Sequence, residues 1–312
     1  MLERRSTFYF LSGSYFSLLL SAFPKLNKPI LVTGATGTIG REVIRCLAKK
    51  NAVVRAGIRN AAQARTEFGE SVELTTFDFE ETGSYPAALK DVEKLFILPP
   101  LIANQLDVTT ALVDAAKSVG VRHIVKLSAV GADPAARFTL GKWHGRADEY
   151  IRQSGLAFTV LRPNSFMQNF INYFPPRDGM IYLPWGNGKA SFVDTRDVGA
   201  VAAEALTSQG HEGATYDLTG PEALAVADVA RILSTVSGRE IRYVDVPEAA
   251  ARDAMQQAQI PQWQVDALLE LHAINKQGLW DAVTTNVEKA TGRPATNFAQ
   301  FAHDHAQSFR AA

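Results

Sequence analysis

From Pro29 onward, short apolar runs alternate with longer amphipathic ones. Six runs read as strands: "ILVTG" (30–34), "AVVRAGI" (52–58), "VELTTFD" (72–78), "KLFILP" (94–99), "HIVKLSA" (123–129) and "AFTVLRP" (157–163). Between them, "IGREVIRCLAKK", "NAAQARTEF", "GSYPAALK", "LDVTTALVDAAKSVG" and "KWHGRADEYIRQSG" repeat apolar residues three and four apart, the spacing of a helix with one buried face. Strand and helix in strict alternation imply right-handed crossovers and a parallel sheet covered on both faces. The expected fold class is therefore α/β, a Rossmann-like doubly wound sheet. In such sheets ligands bind beyond the carboxyl ends of the strands, so the residues just after each strand carry the interest.

After Pro163 the alternation loosens. "GMIYLPWGNGKASFVDTRDVG" is rich in Gly and Pro, and "TYDLTG" reads as one more strand between the helices "DVGAVAAEAL" and "VADVARILSTVSG". From Val246 to Ala312 the pattern is mostly helical, punctuated by Pro247, Pro261 and Pro294. Residues 166–312 thus read as a mixed segment that completes the sheet and adds a small, mostly helical lobe. The opening "MLERRSTFYFLSGSYFSLLLSAF" has a basic start and an apolar stretch, the layout of a secretory signal. Serines and Gly13 interrupt it, no clear cleavage site follows, and it falls short of a membrane span of roughly 20 residues. Residues 1–27 read as a dispensable extension, with initiation near Leu26.

Composition narrows the partners. Of the 312 residues 46% are hydrophobic, enough for a sizeable core, and 32 basic side chains cancel 32 acidic ones. No basic run interleaves with aromatics, so nucleic acid is not the expected partner, and no stable membrane insertion is expected. One cysteine, Cys46, forms no internal disulfide and reads as a buried inert thiol, compatible with a cytoplasmic location. His303 and His305 are two apart and point to different sides of a helix, and neither GxSxG nor HExxH occurs. No metal site is expected. A homodimer is compatible with the sequence, through helices such as 196–207.

The candidate chemistry begins at "TGATGTIGREV" (33–43), directly after the first strand. Gly34 suits a tight turn, Gly37 a close approach of backbone to pyrophosphate, and Gly40 close packing of helix on sheet. With Thr36, Thr38 and Ile39, these residues place the amides of a helix start toward a dinucleotide phosphate. Residues 28–165 are accordingly read as the NAD(P)-binding domain. The second strand ends in Arg59 with no acid nearby, where an NAD site carries Asp or Glu. A guanidinium grips a 2'-phosphate with two parallel hydrogen bonds, so NADP(H) is preferred over NAD(H). After the third strand, Asp78 with Phe79 either accepts from an adenine amino group or caps the next turn. Pro99, in "LPPL", either runs past the cofactor ribose or stiffens its loop.

These residues, with "HIVKLSAVGA" (123–132), "SGLAFTVLRPNSFMQNF" (154–170) and "FVDTRDVGAVAAEAL" (192–206), resemble the NmrA-like atypical short-chain dehydrogenases/reductases, over about residues 29–310. That family holds NADPH-dependent quinone reductases, triphenylmethane dye reductases and NADP-sensing regulators without catalysis. The resemblance implies an NADPH-dependent oxidoreductase acting on a quinone-like or other conjugated small acceptor. The alternative is a non-catalytic NADP sensor that acts through a protein partner. The wider superfamily uses a Tyr and a Lys four residues later, whereas here Tyr150 is followed at that spacing by Ser154.

In place of that pair stands His144, with Asp148 one helical turn on. On one helix face the carboxylate is expected to orient the imidazole or raise its pKa; the plain alternative is a helix-stabilising pair. Ser128, where the superfamily has its substrate serine, either donates to a carbonyl oxygen, beside cofactor and substrate, or caps a turn. Asn164 is expected on the nicotinamide side, with Phe166, Met167 and Asn169 lining the cleft or packing in the core. Asp194, Arg196 and Asp197 are expected to lock a loop and cap a helix.

Overall fold

The structure is a computed structural model that describes residues 28–310. The segment 1–27 read above as an extension lies outside them. The first half runs β1 (Ile30–Val32), α1 (Thr38–Lys49), β2 (Val54–Ile58), α2 (Ala61–Phe68), β3 (Glu73–Thr76), α3 (Tyr85–Leu89), β4 (Lys94–Ile97), α4 (Gln105–Ser118), β5 (His123–Leu127), α5 (Thr139–Gln153) and β6 (Ala157–Pro163). Each of the six apolar runs contains one of these strands. The second half runs α6 (Asn169–Asn172), β7 (Met180–Leu183), β8 (Lys189–Ala190), α7 (Thr195–Thr207), β9 (Ala214–Leu218), β10 (Leu224–Ala225), α8 (Val226–Ser237), β11 (Arg242–Asp245), α9 (Glu248–Gln257), α10 (Gln262–Lys276), α11 (Asn286–Thr291), α12 (Phe298–Asp304) and α13 (Ala306–Arg310).

Seven strands form one sheet in the order β3-β2-β1-β4-β5-β6-β9, with every pair parallel. Side chains alternate across it, as the period of two demands. Ile30, Val32, Phe96 and Val125 point to a core shared with α1 and α7. Leu31, Leu95, Ile97 and Ile124 point the other way, to a core shared with α3, α4 and α5. Burial on both faces explains why the strands read as nearly unbroken apolar runs. The strand order reverses between β1 and β4, which opens a crevice at their carboxyl ends. Thr33 ties those ends together: its Oγ1 donates to Phe96 O at 3.0 Å and accepts from Leu98 N at 2.9 Å.

A third core, crowded with Trp185, Phe170, Phe192, Phe298, Phe301 and Phe309, holds the C-terminal lobe. Helices dominate this lobe, and Pro247 and Pro261 precede α9 and α10 as N-caps. It also holds two small sheets that the sequence pattern missed, β7 with β11 and β8 with β10. Gly, Pro and charged residues break up the sequence around these strands, so no bounded apolar run marks them. Among the described residues, no helix is long and apolar enough to cross a membrane.

Candidate active site

The glycine turn has the shape its sequence implies. Gly34 sits at φ +61°, in the left-handed region that favours glycine, and Gly37 N donates to Gly34 O at 3.0 Å. A Cβ at Gly40 would overlap the Gly34 carbonyl oxygen and the Ala35 backbone, so only glycine lets α1 start this close to the turn. Gly37 and Thr38 are exposed, Gly34 and Thr36 half-buried, and Ile39 buried. No side chain caps the helix start, and its first turn holds no acidic residue. The free amides and the positive end of the helix dipole therefore face the crevice, as a dinucleotide pyrophosphate requires.

Around this cradle, Arg59 is exposed immediately after β2, beside Asn60, which caps α2 through Gln63 N. Asp78 spends one oxygen on Glu80 N at 3.0 Å, and Phe79 is buried edge-on against Phe77. Of the two readings of this pair, the turn cap is the one the geometry displays. Pro99 is half-buried just past β4.

The second cluster lies at the end of β5, two strands from β1, or about 10 Å across the sheet. Its centre is Asp148 on α5, with no exposed surface. Asp148 Oδ1 accepts from Lys126 Nζ at 2.9 Å; Oδ2 accepts from Ser128 Oγ at 2.9 Å and from Arg162 at 3.1 and 3.3 Å. Lys126 is itself fully buried and its Nζ also lies 3.2 Å from His144 Nδ1. Burial alone would raise the Asp148 pKa, but Lys126, Ser128 and Arg162 together hold it below the ordinary value. Burial pulls Lys126 down against the opposing pull of Asp148. α5 comes this close because Gly145 packs where any side chain would strike the Asp133 backbone.

This geometry corrects the expected pairing of His144 with Asp148. The carboxylate does not hold the imidazole, because its oxygens are taken by Lys126, Ser128 and Arg162, and its upward pull on the His144 pKa is outweighed. His144 instead meets Lys126, and burial followed by the Lys126 charge pushes its pKa down to about 3. Ser128, 4% exposed, has one hydroxyl proton and gives it to Asp148, so it has none left for a substrate carbonyl. Asn164 also departs from expectation: its Nδ2 donates to Ser191 Oγ and Trp280 O, and its Oδ1 accepts from Ser165 N. A side-chain amide satisfied from both ends pins β6 to the lobe and has little left for nicotinamide. Met167, 1% exposed, packs in the lobe core, while Phe166 and Asn169 keep part of their surface.

Other assignments hold. Tyr150 is on the surface, donating to Asp114 Oδ1 at 2.7 Å, far from any tyrosine–lysine arrangement. Asp194 caps α7 through Arg196 N and Asp197 accepts from Thr296 N, so both lock loops. Cys46, expected buried, is only half-buried, with burial raising its thiol pKa. Sequence reasoning missed Lys126 and Arg162. A lysine between Val125 and Leu127 in a central strand was the available signal, since a buried ammonium requires a buried partner.

The glycine turn at the reversal of strand order, with an uncapped helix start after it, defines a Rossmann-like protein with the turn of a dinucleotide site. A model of the NmrA-like family matches residues 26–302, and the chain belongs to that family. NAD(P)H azoreductase of Xenophilus azovorans is 41% identical, over 91% of this chain and 100% of its own. Among solved structures, the NADPH-dependent quinone oxidoreductase of Escherichia coli complexed with NADPH superposes with a TM-score of 0.79 at 26% identity, covering 88% of this chain and 99% of that one. The Citrobacter sp. triphenylmethane reductase complexed with NADP(H) gives 0.78 at 25% identity, covering 89% and 99%. With relatives of this kind the chain is an NAD(P)H-dependent reductase.

Proposed function

We propose that the protein uses NADPH to reduce a flat conjugated acceptor, a quinone-like or azo compound, in the crevice between the glycine turn and the Lys126–Asp148 cluster. The observation that carries this reading is the half-buried His144, anchored at Nδ1 by Lys126, whose Nε2 has no hydrogen-bond partner among the described residues. Bound nicotinamide supplies the hydride, and the protein's part is to hold and polarise. The first-turn amides of α1 hold the pyrophosphate, Arg59 the 2'-phosphate, and His144 donates a hydrogen bond to the acceptor heteroatom. Asp148 and Ser128 position rather than react. Conjugated acceptors accept electrons readily and take their proton separately from solvent, so a site without an acidic tyrosine is sufficient for them. The relatives support the reading, because azo and quinone compounds are planar and conjugated.

Steady NADPH oxidation against a panel of acceptors tests this. Turnover is expected with quinones and azo dyes and lost in Gly37→Asp, whose carboxylate would repel the pyrophosphate. Turnover confined to saturated ketones, or tight NADP binding with no turnover on any acceptor, would overturn it; the latter would speak for a sensor. Arg59→Ala is expected to weaken NADP binding roughly 10- to 100-fold, the worth of a charged hydrogen-bonded contact, while NAD binding stays unchanged. Titration calorimetry with both dinucleotides reads the ratio. An unchanged ratio would remove the basis for preferring NADP(H), in cytoplasmic conditions or elsewhere.

A further inference from the structure

The reading above needs His144 to present a hydrogen, not a lone pair, to the acceptor. A neutral imidazole carries one proton, on Nδ1 or on Nε2, and nothing in the sequence of α5 decides between them. The structure supplies the deciding group. We propose that Lys126 is a positioning residue that fixes His144 in its Nε2–H form, aiming a permanent hydrogen-bond donor away from the protein and toward the acceptor.

The proton inventory of the two side chains decides the tautomer. An ammonium has three hydrogens and no lone pair, so it can only donate. Lys126 Nζ gives one hydrogen to Asp148 Oδ1 at 2.9 Å and faces His144 Nδ1 at 3.2 Å. For that second contact to be attractive, Nδ1 must accept, and the imidazole proton must sit on Nε2. Burial pulls Lys126 toward the neutral amine, and the hydrogen-bonded Asp148 carboxylate, whose other oxygen is occupied by Ser128 and Arg162, opposes that pull and favours the ammonium. Charged groups facing the ring are Lys126 from β5, Asp148 from its own helix and Arg162 from β6. Burial first, and then two cations against one carboxylate, disfavour the imidazolium, so the ring stays neutral while its tautomer is locked. The β5 lysine in this way substitutes for a pH-tuned acid: it does not touch the substrate but determines which way the imidazole dipole points.

Removing Lys126 leaves Asp148 paired with Arg162 and Ser128, so Lys126→Met keeps the buried charge balanced and the variant is expected to fold. Nitrogen-15 NMR of the histidine rings in the full chain, with no acceptor present, reads tautomer and titration directly. In the wild type, His144 is expected to show Nε2–H and no titration around neutral pH. In Lys126→Met, a mixture of tautomers is expected, with the titration moved upward by about one pH unit or more as the neighbouring cation disappears. Lys126→Arg, which retains a donor-only cation, is expected to restore Nε2–H. Wild-type signals showing Nδ1–H, or a tautomer unmoved in Lys126→Met, would overturn the proposal. The inference rests on the reductase reading, but the two fail separately: a locked Nε2–H together with unchanged kcat in His144→Phe would sink the donor role and leave the lock standing.

Discussion

Asp148→Asn is expected to destabilise the fold by about 3–5 kcal/mol, which lowers the melting temperature by roughly 10 °C. The substitution keeps the side-chain volume, so no cavity term enters. What changes is charge and donor count. Asp148 accepts from Lys126, Ser128 and Arg162 without a single donor of its own, and an amide turns one of its two acceptor atoms into a donor facing other donors. Two cations are then left without their shared counter-charge, one of them at a position with no exposed surface. Lys126→Met leaves one cation against one anion and is expected to be much milder. Thermal melts of the two variants side by side check this, and equal losses would show that the cluster is not organised around the carboxylate.

Acid is expected to unfold the protein well before its carboxylates titrate. His123, His144 and His272 are held down to about 4, about 3 and about 4, in each case chiefly by burial. His123 is packed against Thr159 Oγ1, and His272 Nδ1 accepts from Trp185 Nε1 at 2.6 Å. In the unfolded chain each takes up a proton near pH 6.5, which the native state refuses until much lower pH. The folded values lie below the unfolded ones, so this stabilisation is complete above about pH 6.5 and lost as pH falls toward 4. Each proton contributes about 1.4 kcal/mol per pH unit, so the slope for three approaches about 4 kcal/mol per pH unit near pH 5. Denaturant melts at successive pH values measure it. Stability that is level from pH 7 to pH 5 would show that the three rings are not buried neutral.

The fold was legible because a doubly wound sheet writes itself in long stretches. β1 to β6 are each an apolar run bounded by turn residues, and α1 declares itself by Gly34, Gly37 and Gly40. β7, β8, β10 and β11 were not legible, because Gly, Pro and charged residues break up the sequence around them and their partners lie far along the chain. The site divides in the same way. The phosphate turn is local, so its residues could be read in order. The cluster at Asp148 assembles Lys126, His144 and Arg162 from two strands and a helix, and spacing on α5 alone suggested the wrong partner for the imidazole. Ser128 and Asn164 were assigned by place after a strand, and place does not tell which hydrogen bonds are already taken.

On the proposed reading, the reductase works with a neutral imidazole whose proton is fixed and not exchanged during the reaction. The pH dependence of kcat for NADPH-driven reduction of a quinone tests it most directly. A level profile from about pH 6 to pH 8 is predicted, because His144 does not titrate in that range. A limb near the ordinary imidazole value that vanishes in His144→Phe would contradict it.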